Sequence, residues 1–194
     1  MLFINDHIAE LSEEQTERLV TSLPGWRKEQ AMRYRYIQGR KECAVGYIEL
    51  LRGLRQCFGI NEMPTFAYNE HGKPYLPGHP EVCFSISHCK EAVGCFVSNR
   101  PCGLDVEYIR TAKEDLVRHT MSPQESEEIF TSPFPDIVFT RLWTQKEAVL
   151  KLKGTGIIDD LHSVLSPDNL HGIELQTIEN ICRNYIISIA IQVN

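Results

Sequence analysis

No run of residues in this 194-residue chain approaches the length of a membrane span, and Met1 is followed by neither a positive n-region nor an apolar stretch of signal-peptide length. The expectation is a cytoplasmic protein without a membrane partner. Cysteine supplies no framework: positions 43, 57, 83, 89, 95, 102 and 182 are odd in number and contain no CxxC pair, which suits a reducing compartment and thiols buried as small apolar groups. GxxxxGK[ST], HExxH and GxSxG are all missing, and Gly154-Thr155-Gly156 is not continued as a dinucleotide fingerprint. The standard nucleotide-triphosphatase, zincin and α/β-hydrolase sites therefore fall away. Positive charge is also short. With 20 Lys and Arg against 26 Asp and Glu, the net charge is −6, which argues against general nucleic-acid binding. Any polyanionic ligand must meet a local basic patch.

What is present is an ordinary globular composition, 42% hydrophobic and 24% charged, enough for one large domain or two small packed ones. Ser12-Glu13-Glu14-Gln15 forms a capping box that predicts a helix to about Ser22, and Pro24 opens a second. Helix formers dominate from Trp26 to Gly59, with Ala44, Val45, Ile48, Leu51 and Leu54 predicting one buried stripe. Arg27, Lys28, Arg33, Arg35, Arg40 and Lys41 make the front of this stretch basic. Gly, Pro, Asn and His crowd Thr65 to Pro80, a hairpin or loop and a candidate junction between segments 1–78 and 79–194. Val82–His88, Ala92–Val97 and Cys102–Tyr108 follow as short strands at meander spacing. Ser122-Pro123-Gln124-Glu125 is another capping box, Pro135 begins a longer helix ending near Gly154, and Arg183–Val193 reads as a closing strand. This order predicts an α+β fold. Lys41-Glu42-Cys43-Ala44-Val45 echoes Lys146-Glu147-Ala148-Val149.

Asp105 and Glu107, two apart on a predicted strand, share one face, while Leu104, Val106 and Tyr108 take the other. Two carboxylates so placed can seat a hard cation or simply form the polar side of an amphipathic strand. Gly103 before them permits close backbone approach. Trp143, Glu147 and Lys151 follow at i, i+4, i+8 and form one helix stripe, with Lys146 at its margin. That stripe can complete the cation site or be an exposed Glu-to-Lys pair. Zinc binding by Cys83 and His88 is disfavoured, since five residues apart on a strand they point to opposite faces. Adjacent His88 and Cys89 likewise diverge, which disfavours a nucleophile pair.

Read in order, Gly72-Lys73-Pro74, Phe84-Ser85-Ile86-Ser87-His88, Gly103-Leu104-Asp105-Val106-Glu107 and Trp143-Thr144-Gln145-Lys146-Glu147-Ala148-Val149-Leu150-Lys151 resemble the 4'-phosphopantetheinyl transferases, in their larger single-chain, surfactin-synthetase-activating type. The likeness spans about Gly72 to Gly154. It implies two similar α+β halves related by a pseudo-twofold axis, with coenzyme A between them. It also implies transfer of the phosphopantetheine arm to a serine of an apo acyl or peptidyl carrier protein, with release of adenosine 3',5'-bisphosphate. Carried over, Asp105, Glu107 and Glu147 resemble the magnesium-binding acids, with Glu147 also catalytic, and Lys151 matches the lysine on the diphosphate. Ser87 and His88 match a phosphate-contacting pair, and Lys73 a lysine near the nucleotide; Arg27 and Lys28 are further candidates for the coenzyme's phosphates. Where many relatives carry Arg-Thr in the second helix, this chain has Glu42-Cys43.

Phosphoryl transfer independently suits these residue types, since it needs a cation on the phosphate oxygens and a base for the incoming hydroxyl. The expectation is a magnesium-dependent monomeric enzyme. The alternative is a non-catalytic coenzyme A or carrier-protein binding module of the same fold. Met121, Ile129, Phe130 and Phe134 are candidate anchors for a carrier.

Overall fold

Two three-stranded antiparallel sheets, each covered by one long helix, organise the computed structural model, which describes residues 1–156 and 160–193. The first sheet combines β1 (Leu2–Asn5), β4 (Cys83–His88) and β5 (Val93–Ser98) in the order β1-β5-β4. Between β1 and β4 lie α1 (Glu13–Thr21), α2 (Gly25–Met32), α3 (Ile37–Phe58) and the hairpin strands β2 (Ala67–Tyr68) and β3 (Pro74–Tyr75). The second sheet joins β6 (Cys102–Tyr108), β7 (Ile173–Asn180) and β8 (Tyr185–Gln192) in the order β6-β8-β7. Its intervening helices are α4 (Glu114–Thr120), α5 (Pro123–Thr131) and α6 (Pro135–Lys153). Both units thus run strand, long helix, strand, strand, with the last strand in the middle of its sheet.

Local chemistry sets the ends of these elements. Both capping boxes close, with Ser12 and Gln15 at the start of α1 and Ser122 and Glu125 at the start of α5. The two long helices stop at Gly59 and Gly154, which take the left-handed conformation at φ 69° and 67°. The buried face of α3 differs from the expected stripe. Tyr47, Leu50 and Leu54 are buried with Ala44 and Val45, whereas Ile48 and Leu51 are only half-buried. The reason is close packing on the first sheet. Gly46 and Gly53 admit Ile86, Val97 and Phe3 against the helix, turning its contact line towards Leu50.

Three further expectations change. The strand at Cys102–Tyr108 does not extend a meander but pairs with β8 across the full register from Cys102↔Ile191 to Tyr108↔Tyr185. Residues 173–180, which alternate too weakly to be read as a strand, form β7 because β8 supplies a complete antiparallel partner. Helix α4 was not expected either. Apart from these changes, β1 pairs with β5 from Leu2↔Phe96 to Asn5↔Val93.

The two sheets meet where the edge strands β4 and β6 lie side by side. Ser85 Oγ accepts from the Leu104 N–H at 3.0 Å, and Ser87 Oγ from the Val106 N–H at 3.2 Å. Two hydroxyls therefore satisfy edge amides that a ladder would otherwise pair. On its other side β6 presses on α6 at Gly103, where a Cβ would overlap the Ala148 carbonyl oxygen and the Leu152 nitrogen. All seven cysteines are free, and Cys43, Cys89, Cys95 and Cys102 are buried. Among the described residues no helix is long and apolar enough to cross a membrane.

Candidate active site

Gly103 is the key to the site's placement. With α6 held against the glycine's face of β6, the alternate residues Asp105 and Glu107 face the same helix. The stripe of Trp143, Glu147 and Lys151 meets them there, and the Ser87-His88 end of β4 closes the third side. Together these residues and Ile86 line a cavity of about 300 Å³. The carboxylates expected on two different elements are therefore neighbours in one pocket.

Each acid sits in a different electrostatic setting. Asp105 is 3% exposed; its Oδ1 lies 2.6 Å from Lys151 Nζ and accepts from Ser87 Oγ at 2.9 Å. Its Oδ2 is buried without a hydrogen-bond partner. Glu107 is bonded to Arg110 at the end of the same strand. Burial pushes the Glu107 carboxyl above its ordinary value and repulsion from Asp105 adds to this, against the opposing pull of Arg110. Glu147 is raised for the same reasons, first burial and then Asp105, with Lys151 opposing.

Among the described residues no three His, Cys, Asp or Glu side chains close into a metal-ligating cluster. Lys151 and Arg110 instead act as internal counter-ions to Asp105 and Glu107. The donor set nevertheless suits a hard divalent ion. It offers carboxylate oxygens, one of them buried and unpartnered at Asp105 Oδ2, and two carboxyls whose pKa values are raised by burial and by the charge of Asp105.

The remaining candidates divide. His88 borders the acid pocket with Nδ1 3.2 Å from Glu42 Oε2; desolvation holds its imidazole below the ordinary value, with Lys151 adding to that and Glu42 opposing. Lys73 lines an adjoining cavity of about 310 Å³ that shares Ile86, Glu147 and Lys151 with the acid pocket. Its ammonium is already committed, donating to the carbonyls of Cys102 and Leu152 at 3.1 and 3.0 Å, and desolvation lowers its pKa. Arg27 lines a smaller cavity of about 190 Å³ with Glu42 and His88. Its guanidinium donates to Gln30 Oε1 and the Cys43 carbonyl and stands over the Tyr47 ring. Lys28, one residue on, turns into a separate cavity with Glu17 and Arg40 and is not brought to the site. Lys146 is fully buried and structural, held by Glu125 Oε2 and the Leu161 carbonyl, both at 2.7 Å.

Two participants escaped the sequence reading. Arg110 lies beyond the end of its strand, where periodicity says nothing about direction; its position three residues after Glu107 was the available signal. Ser85 stood within the Phe84-Ser85-Ile86-Ser87-His88 block without a role of its own. The expected carrier anchors also separate, Met121 and Ile129 being core and Phe130 and Phe134 exposed.

Comparison with known proteins gives this geometry its family. Residues 101–190, from β6 into β8, match the model of the 4'-phosphopantetheinyl transferase superfamily. A 4'-phosphopantetheinyl transferase of Bacillus subtilis is 26% identical over 172 residues, covering 85% of this chain and 76% of that protein. The 4'-phosphopantetheinyl transferase HetI of Nostoc sp. is 29% identical over 166 residues, 80% of this chain and 70% of that protein. One from Aneurinibacillus migulanus reaches 32% over 142 residues, 70% and 58% of the two chains. The acid pocket on β6 and α6 falls inside the matched span. Over that span the chain is similar to the 4'-phosphopantetheinyl transferase superfamily, and over most of its length to these relatives.

Proposed function

We propose that the protein transfers the 4'-phosphopantetheine arm of coenzyme A to a serine hydroxyl of an apo acyl or peptidyl carrier protein, releasing adenosine 3',5'-bisphosphate. The observation that carries this reading is the meeting of Asp105, Glu107, Glu147 and Lys151 in one pocket that adjoins two further cavities.

Asp105, Glu107 and Glu147 are the residues that would hold a magnesium ion, whose charge would neutralise the diphosphate oxygens against the incoming nucleophile. The serine proton goes to the Glu147 carboxylate, which lies in the same pocket as Lys151 and the two strand acids. The serine oxygen forms its bond to the phosphorus bearing the pantetheine, and the bond from that phosphorus to the bridging oxygen breaks. Lys151 leaves Asp105 for the phosphate and offsets charge on the departing oxygen, a task suited to an ammonium on a flexible stem. Ser87 and His88 border the same phosphates, with Lys73 and Arg27 shaping the walls on either side.

The shared order of the two sheet-and-helix units supports a pseudo-twofold relation in which α3 corresponds to α6 and Lys41-Glu42 to Lys146-Glu147. Two such units in one chain provide both walls of the cleft, so we further propose a cytoplasmic monomer.

The test is intact-mass measurement on several apo carrier proteins incubated with the protein and coenzyme A, with and without magnesium. Magnesium-dependent gain of one phosphopantetheine is expected; no gain on any carrier refutes the reading.

A further inference from the structure

Resting on the function proposed above, the cations of the acid pocket bear on how a divalent ion would enter it. Each strand acid is paired with an internal cation, Asp105 with Lys151 of α6 and Glu107 with Arg110, three residues on. The two cations are held differently. Lys151 also donates to Ser87 Oγ at 2.9 Å, which ties it to the other sheet. The Arg110 guanidinium has Glu107 as its one hydrogen-bond partner among the described residues.

A guanidinium that served to hold Glu107 in place would itself be fixed by further acceptors, since it carries five donors in a rigid fork. Here the Nε–H is buried and unbonded, and the group rests 5.2 Å from the centroid of the Tyr108 ring. An orphaned buried donor makes this resting arrangement costly. The Arg110 backbone is anchored, its N–H donating to Thr140 Oγ1 on α6 at 3.1 Å, so the side chain is the part free to turn. A cavity of about 390 Å³ beside it gives that movement room, and Glu42 in the cavity wall offers a second carboxylate. An ion held by Asp105, Glu107 and Glu147 would meet the guanidinium as like charge. With Arg110 and Glu107 only 29% and 19% exposed, water screens that repulsion little.

We infer that Arg110 competes with the divalent ion for Glu107, and so keeps the protein's own affinity for the ion low until coenzyme A brings its diphosphate. The diphosphate supplies negative charge to offset the crowding of cations, and Lys151 turning to it frees Asp105. Arg110 is in this account a positioning residue, acting on the reaction through Glu107 alone.

The experiment titrates the full chain with Mn2+, a hard divalent probe whose free concentration is read by electron paramagnetic resonance, with and without coenzyme A. Without coenzyme A, Arg110→Met, which keeps the apolar stem and removes the charge, is expected to bind Mn2+ about tenfold more tightly than the parent. It should also gain less affinity when coenzyme A is added. Arg110→Lys, which keeps the charge, is expected to stay within about threefold of the parent. Unchanged or weaker Mn2+ binding by a folded Arg110→Met overturns the inference, and weaker binding would show that the guanidinium seats Glu107 for the ion. Should Arg110→Met fail to fold, Arg110→Gln is read against the same limits. A parent protein that modifies no apo carrier sinks the proposed function, while the Mn2+ titrations still decide the inference. No Mn2+ binding by parent or variants, with or without coenzyme A, overturns the inference alone if transfer occurs and both readings if it does not.

Discussion

Lys151 Nζ lies 2.6 Å from Asp105 Oδ1, so that a helix ammonium and a strand carboxylate neutralise each other in the floor of the pocket. The same ammonium donates to Ser87 Oγ at 2.9 Å. One side chain therefore ties α6 to both edge strands. Replacement of Lys151 by Ala is expected to lower kcat for pantetheine transfer by about 10²–10³, the usual loss for one electrostatic stabiliser. Single-turnover mass measurements check this; a loss under about threefold would remove Lys151 from the reaction.

Ser85 and Ser87 make the same structural bond to neighbouring amides of β6, but only Ser87 also reaches Asp105 and Lys151. Ser85→Ala and Ser87→Ala should each cost about 1–3 kcal/mol in urea unfolding, since each leaves an amide without its acceptor. Only Ser87→Ala should also slow transfer. Equal rates in the two variants would show that the hydroxyl at 87 is structural alone.

Gly103 is the point where β6 touches the backbone of α6. Gly103→Ala must separate the strand from the helix, which is expected to cost about 3 kcal/mol and lower Tm by roughly 6–12 °C in a chain of this size. Because Asp105 and Glu107 ride on the same strand, coenzyme binding should weaken with it. An unchanged melting temperature would contradict the packing described.

Much of this site was legible because it depends on local periodicity. Alternation put Asp105 and Glu107 on one face, the 3.6-residue repeat aligned Trp143, Glu147 and Lys151, and both capping boxes lay where Ser and Gln or Glu predicted them. What escaped depends on partners far along the chain. No local pattern could pair Leu2 with Phe96, or turn Cys102–Tyr108 from a meander onto Tyr185–Ile191. Nor could it show which cations were free to act. Lys28 and Arg27 are adjacent in sequence yet serve different cavities, and Lys73 keeps its position near the cleft while its charge is directed into two carbonyls.

The raised pKa of Glu147 fixes a sign for pH dependence. Its carboxyl holds a proton more tightly folded than unfolded, so stability is favoured below the ordinary value of 4.5 and declines as pH rises through the raised one. In chelator, Glu147→Gln should therefore melt at a higher temperature than the parent near pH 8 and at the same temperature near pH 4. A variant less stable than the parent near pH 8 would show that the ionised carboxylate is well compensated without a metal.

That same substitution bears most directly on whether the pocket performs the transfer. With saturating coenzyme A, magnesium and an apo carrier that the parent protein modifies, intact mass should show Glu147→Gln to be slowed by several orders of magnitude. Calorimetry should show that it still binds the coenzyme. Transfer by Glu147→Gln at a rate near the parent's would contradict the assignment of the reaction to this pocket.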